Sequence, residues 1–289
     1  MGYTSVVCIK QVPDTENLTS EAMKEDGTVN RSALPAIVNP EDLNALEMAL
    51  ELKEQHGGHV TVITMGPGSA AEALRETLYR GADRVILLTD RKFAASDTLA
   101  TSYALSQAIR NLPDAPDLVF CGRQAIDGDT AQIGPQLAEK LGLPQFTYAD
   151  RIVGVHDDTI RVERNLEHGH EILEGPLPAL LTVTESANMP RPPAAKKLLK
   201  YKDALTATEL EKEDGPDPEH YAEKGLLIEE WNASDVNCDP DRCGGSGSPT
   251  KVKKIESVRL VSEEHLRVDP TPEGLTGLVR DLIDEHILE

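Results

Sequence analysis

Along the first half of the chain, short runs of aliphatic and β-branched residues alternate with longer segments whose apolar positions recur every three or four residues. SVVCIKQV, HVTVITM, DRVILLTD and DLVFCG read as strands, and between and after them NPEDLNALEMALELKEQHG, SAAEALRETLYRG, DTLATSYALSQAIRNL and PQLAEKLG read as helices. Strand and helix in turn over residues 1 to about 145 predict crossover units and a parallel sheet covered on both faces. The first helix is the best marked: Asn39 is expected to cap it, and Pro40 suits the first helical position. Glu41 and Asp42 complement the dipole, while Leu43, Leu46 and Leu50 share one face.

The pattern changes after residue 150. IRVER and EILEGPLPALLTVTE, separated by the polar turn NLEHGH, predict a hairpin that completes the sheet. MPRPPAAKKLLKYK (189 to 202) is basic and proline-rich and reads as an exposed arm. Residues 203 to 250 are acidic and rich in Gly, Pro and Asp, and helical periodicity returns only in EGLTGLVRDLIDEHIL.

Composition narrows the function. With 50 acids against 29 bases the formal charge is -21, and aromatic residues make up 3% of the 289 positions. Such a surface repels phosphate backbones and offers few stacking rings, which argues against a nucleic-acid partner. The first residues, MGYTSVVCIKQVPD, are too short and too interrupted by charge for a signal peptide or a membrane span, so no direct membrane insertion and a cytoplasmic location are expected. Cys8 and Cys121 lie inside apolar runs and read as buried thiols of a reducing compartment.

Several short motifs compete for the chemistry. GPGSAA (Gly66 to Ala71) follows a strand and fits G-x-G-x-x-A, with Asp90 ending the next strand, the outline of an NAD-dependent dehydrogenase. GGSGSPTK (Gly244 to Lys251) echoes a phosphate-binding loop, but Pro249 stands where glycine must precede lysine and no helix is predicted after it. Cys238 and Cys243 lack the second cysteine pair of a zinc site, and His168 and His170 flank a turn glycine, so no metal is expected.

The remaining motif, GRQAIDGDTAQ (122 to 132), sits where a strand turns into a helix. Gly122 and Gly128 allow close backbone approach, and amides before the helix bind phosphate without net positive charge. Arg123 adds one cation, while Asp127 and Asp129, as acceptors only, suit hydroxyl or amino groups. The competing reading is an Asp-Gly turn with Asp129 or Thr130 as a helix cap.

VCIKQVPD, NPEDLNALEMAL, GPGSAAEALRETLYRGADRVILL, GRQAIDGDTAQIGPQLAEKLGLPQ, IRVERNLEHGHEILEGPLPALLTV and GSPTKV occur in this order. Together they make the chain resemble the β subunit of electron transfer flavoprotein over nearly its full length. The resemblance implies an α/β, Rossmann-like (adenine nucleotide alpha hydrolase-like) parallel sheet with helices on both faces, plus a hairpin and an extended C-terminal arm. It implies a nucleotide-binding domain over 1–187, a recognition loop and arm over 188–250, and a C-terminal segment 251–289 whose helix packs on the α subunit. It also implies an electron carrier rather than a self-contained catalyst, with no residue assigned as a general acid or base.

The implied cofactor is FAD, with AMP as the alternative. By position, the pocket comprises Cys8; Asn39, Pro40, Glu41 and Asp42; Met65; and the run Gly122, Arg123, Gln124, Ala125, Ile126, Asp127, Gly128, Asp129, Thr130, Ala131, Gln132 and Ile133. Gly128, where AMP-binding relatives carry a bulkier acid, and SDTLATS, which places Asp97, Thr98 and Thr101 beside a longer cofactor, favour the FAD-binding, electron-bifurcating type. In that type NADH is the electron donor, and a quinone oxidoreductase, a ferredoxin or an acyl-CoA dehydrogenase lies downstream. One element departs from the family: NMPR (188 to 191) is present, but the leucine that anchors a partner dehydrogenase is replaced at about Ala195.

Overall fold

The computed structural model describes residues 2–14, 34–212, 217–251, 267–284 and 287. They fall into two units, one formed by the residues up to 251 and one by those from 267 onward. In chain order the first unit contains β1 (Tyr3–Ile9), β2 (Gln11–Pro13), β3 (Ala36–Val38), α1 (Pro40–His56), β4 (Gly58–Met65), α2 (Ala71–Arg80), β5 (Arg84–Leu88), α3 (Thr98–Arg110), β6 (Leu118–Gly122) and α4 (Ile133–Leu141). It continues with β7 (Gln145–His156), β8 (Thr159–Leu166), β9 (Gly169–Pro176), β10 (Ala179–Val183), α5 (Ala195–Tyr201), β11 (Leu205–Thr206), α6 (Ala207–Lys212), α7 (Pro218–Glu223) and β12 (Leu227–Trp231). The second unit contains α8 (Pro272–Asp284).

Ten strands form one sheet in the order β11-β12-β5-β4-β1-β6-β10-β7-β8-β9. All pairings from β11 to β7 are parallel, and only β7-β8 and β8-β9 are antiparallel. Strand side chains alternate between faces, and β1 shows the consequence. Val7 and Ile9 enter the core shared with α1 and α2, while Val6 and Cys8 enter the core shared with α3 and α4. The expected fold class is therefore the observed one, with its helices on both faces.

Two stretches differ from the periodicity reading. EILEGPLPALLTVTE is two strands, because a proline has no N–H for the ladder: β9 stops at Pro176, and β10 starts after Pro178 and inserts between β6 and β7. The acidic segment is not bare coil. Its β12 pairs in parallel with β5, and Glu229 receives both Arg84 Nε and Nη2, at 2.6 and 2.7 Å. From α2, Arg75 donates to the Ala204 carbonyl at 2.7 Å and to Glu72 and Glu209, fastening the start of this segment to that helix.

NMPR is pinned to α1. Asn188 and Asn44 exchange side-chain and main-chain hydrogen bonds at 2.8 and 3.0 Å, and the Arg191 guanidinium forks onto the buried Glu47 at 2.9 Å while also reaching Glu54. Replacing Arg191 by alanine removes the guanidinium from a buried carboxylate and leaves Glu47 the main-chain N–H of residue 191. The Arg191→Ala protein should lose about 2–3 kcal/mol of stability, read as a lower urea midpoint at unchanged slope; an unchanged midpoint would show that the fork contributes nothing.

Candidate functional site

β4 lies on one side of β1 and β6 on the other, so the connections leaving the sheet diverge between β1 and β6. In open α/β sheets ligands bind beyond the carboxyl ends of strands at such a point. Here those ends are Ile9 and Gly122, and the N-terminus of α1 sits between them.

Each polar residue at that helix start is engaged with the protein. Asp42 accepts from the main-chain N–H of Lys10 at 2.8 Å and of Gly122 at 3.0 Å. Burial pushes its carboxyl up to about 7, against the lowering effect of donors at Lys10, Asn39 and Gly122. Glu41 accepts from Arg123 Nε at 2.9 Å and from the Gln124 N–H at 2.7 Å. Asn39, fully buried, does not cap α1: its side chain makes no cap bond, and instead donates to Gln124 O at 2.8 Å and accepts from Ile126 N at 3.1 Å. With Pro40 at the first helical position, one of the helix's orphan donors is already missing.

The loop beyond β6 is therefore held from behind. Gly122 admits no side chain, since a Cβ would lie 2.4 Å from Asp42 Oδ1. Gly128 and Asp129 both donate main-chain N–H groups to Ala125 O, Gln124 Nε2 reaches Asp129 Oδ1 at 3.2 Å, and Lys10 Nζ pairs with Asp127 at 2.6 Å. The left-handed backbone positions are Asp129 (φ 47°) and Ala131 (φ 52°), not Gly128, whose Cβ position faces open space.

Neither Asp129 nor Thr130 caps the following helix: the residue at the cap of α4 is Gln132, without a side-chain cap bond. Pro135 falls in the first turn, where its missing N–H costs nothing. Consequently the N–H groups of Thr130, Ala131, Gln132, Ile133 and Gly134 donate no hydrogen bond among the described residues. Gly134, which sequence reasoning passed over, brings the helix start onto β10, as a Cβ there would meet Thr182 Cγ2 at 2.3 Å; a glycine two residues into a helix was the signal.

The other expected site residues border this loop unevenly. Thr98 Oγ1 donates to Gln132 Oε1 at 2.8 Å, linking the start of α3 to that of α4, and Thr101 is half-buried one turn on. Asp97 caps α3 through the Ala100 N–H and also holds the Thr250 N–H; burial raises its pKa, but these donors outweigh it and keep the carboxyl below its usual range. Cys8 is buried beside Cys121 in the facing register position, and Met65 is half-buried at the end of β4. Arg123 is neutralised by Glu41 and lies over the Tyr148 ring at 5.9 Å. A cavity of about 760 Å³ opens on that side, lined by Glu41, Arg123, Tyr148 and Arg164 among others. Tyr148 sits at a bulge with φ 57°, a conformation that no periodicity announces.

The electron transfer flavoprotein domain matches residues 26–207. The β subunit of electron transfer flavoprotein from Clostridium acetobutylicum is 42% identical over 283 residues, 98% of this chain and 99% of its own. Protein FixA of Azorhizobium caulinodans is 45% identical over 270 residues, covering 91% and 88%, and the Megasphaera elsdenii β subunit is 43% identical over 256, covering 86% of each. The chain belongs to the electron transfer flavoprotein β subunit family.

Within this β subunit family member, the acid of the dehydrogenase outline at Gly66 and Gly68 has a local structural role. Both Asp90 oxygens are engaged, one by the Lys92 N–H and one by the Ala233 N–H. Cys238 and Cys243 are both reduced, with burial pushing Cys238 up to about 12, and no three potential metal ligands gather among the described residues. Among the same residues no helix is long and apolar enough to cross a membrane.

The Asp42 carboxyl yields a pH test. Its ordinary pKa of 3.8 rises to about 7 in the fold, so between those values the folded chain holds a proton that the unfolded chain has released. Stability contributed below the lower value is lost as pH rises through the window. Urea unfolding should show the native chain losing stability relative to Asp42→Asn from about pH 4 to 7; parallel curves would refute the assignment.

Proposed function

We propose that this chain is the β subunit of a heterodimeric electron transfer flavoprotein, working in the cytoplasm, and that the loop 122–133 holds FAD. The row of undonated amides from Thr130 to Gly134, at the N-terminus of a nine-residue helix beside the switch point, carries this reading. When bound, FAD would supply the redox chemistry, taking a hydride from NADH and passing its two electrons singly to a high- and a low-potential path, with the proton released. The protein's part is placement. The amides hold the diphosphate, and Asn39, Glu41 and Asp42 fix the loop's shape. Asp127 and Asp129 stand at the hydroxyl and amino groups, and Thr98 and Thr101 border the flavin end. Arg123, already paired with Glu41, acts on the loop and on the neighbouring cavity rather than as a free counter-ion. Downstream, a quinone oxidoreductase, a ferredoxin or an acyl-CoA dehydrogenase receives the electrons.

FAD is favoured over AMP by Gly128, whose side-chain position is open. Releasing the bound nucleotides from the purified heterodimer should give two FAD and no AMP; one FAD with one AMP would replace this reading with the AMP-binding one. Because Gly128 has no left-handed φ and nothing within 4 Å of its Cβ position, Gly128→Asp should fold normally. It should weaken FAD binding more than AMP binding, measured by fluorescence titration of the apoprotein complex.

The α subunit is the partner that the C-terminal helix fits. α8 carries Leu275, Val279 and Ile283 at four-residue spacing, each about half exposed, and no residue of the helix is buried. Val279→Asp with Ile283→Asp should abolish co-elution with the α subunit in size-exclusion chromatography while leaving the circular dichroism of the β chain intact.

A further inference from the structure

A second cavity, of about 370 Å³, opens between α3, the end of α4 and the glycine-rich segment that follows β12. Its walls include Leu99, Tyr103, Lys140, Asp241 and Arg242, and residues 246–249 close it. This is the segment GGSGSPTK, whose resemblance to a phosphate-binding loop fails for a triphosphatase because Pro249 stands where glycine must precede lysine.

Its geometry is nevertheless that of a built loop. The Arg242 guanidinium lies 3.9 Å from the Tyr103 ring centre, and Tyr103, itself buried, accepts from the Asp239 N–H at 3.0 Å. Gly244 stands at φ 56° with a would-be Cβ 2.2 Å from Lys92 O, and Gly247 packs so tightly that its Cβ would lie 2.0 Å from the Arg242 carbonyl carbon. Ser248 Oγ donates to Gly244 O at 2.6 Å and accepts from the Asp97 N–H at 2.8 Å. Within this frame Gly245 and Gly247 donate to Ala94 O and Cys243 O, whereas the N–H groups of Ser246 and Ser248 donate none among the described residues.

Two cations share the lining of this cavity with one acid, Asp241, and Arg242 stacks on Tyr103. Neither Lys140 nor Arg242 forms an ion pair among the described residues, although the chain has a large excess of acids. Burial and the neighbouring Arg242 hold the Lys140 ammonium below its usual range, outweighing Asp97 and Glu139. Lys140 and Arg242 repel each other at this cavity, Asp241 offsets one of the two charges, and an anion between them relieves the rest. Glycine-rich main chain with undonated amides forms a concavity for the same kind of ligand.

We propose that this cavity is a phosphate-binding site separate from the switch-point loop, formed by Lys140, Arg242 and the main chain of residues 246–248. The phosphate is that of a small ligand or inorganic phosphate itself, since the cavity has half the volume of the one beside Arg123.

The test uses the heterodimer with its cofactors bound, titrated with inorganic phosphate and, separately, with ADP, by calorimetry and by ³¹P line broadening. Lys140→Gln and Arg242→Gln should each weaken phosphate binding about tenfold, Lys140→Arg should retain it, and Gly128→Asp should leave it unchanged. Binding of ADP but not of inorganic phosphate, with the same loss in both variants, would support the site and identify its source as a nucleotide. No binding of either to the native complex, undiminished binding to the double variant, or loss on Gly128→Asp would overturn the proposal. Flavin content, counted in each variant, distinguishes failure here from failure of the FAD reading.

Discussion

The architecture of the candidate site depends on one buried carboxylate joining two strand ends. β1 and β6 pair in register up to Cys8 and Cys121, and beyond them the two chains part. The main-chain donors at Lys10 and Gly122 are left where neither strand can satisfy them, and unsatisfied buried donors cost on the order of 1–3 kcal/mol each. Asp42, carried in by the first turn of α1, accepts both. Two consequences follow from its position: Gly122 must lack a side chain, and the carboxyl titrates far above its usual range. The crevice of a parallel sheet is held open by a side chain from the crossover helix.

The same arrangement explains how a chain of charge -21 leaves a loop suited to an anion. The acids nearest the switch point are matched one by one with donors of the protein: Glu41 with Arg123 and the Gln124 N–H, Asp42 with two amides, Asp127 with Lys10, Asp129 with Gln124, and Asp97 with Ala100 and Thr250. Such pairing removes much of the local repulsion that composition suggests, because exposed charges farther away are screened within about 10 Å. Net charge thus describes the surface and says little about this loop. Arg123, the obvious cation for a phosphate, is among the neutralised groups.

How far the sequence revealed this follows from what each element's stability rests on. The strands β1, β4, β5 and β6 and the helices α1 to α4 pack within or against the large sheet, so their periodicity announces them, and the resemblance added the order of the motifs. β12 was invisible because only Ile228 in it is fully buried, and its neighbours are held by side-chain pairing instead, Glu229 and Trp231 with Arg84 and Glu230 with Thr208. Asn39 was legible as important but not in its role: a cap residue and a loop clamp have the same local sequence, and only the distant partners at 124 and 126 separate them. Tyr148 and Gly134 matter through contacts with Thr182, a residue far along the chain that no local pattern can register.

The loop's strain then acquires a physical reason. Asp129 and Ala131 hold left-handed backbone conformations one residue apart, each unfavourable for a residue with a side chain. Such conformations persist only where the surroundings over-determine them, and here the loop is fixed at Gln124, Ala125, Ile126, Asp127 and Asp129 by bonds that do not involve residues 130 to 134. Ala131 at φ 52° followed by Gln132 at φ -102°, ψ -22° alternates hand, the backbone sequence that turns successive amides toward one concavity. A loop so constrained keeps its donors in place without reorganising, the preorganisation that lowers the cost of binding in general. Glycine at 129 or 131 would relax the strain and raise the stability of an empty loop, but it would also free the chain to leave the concave form.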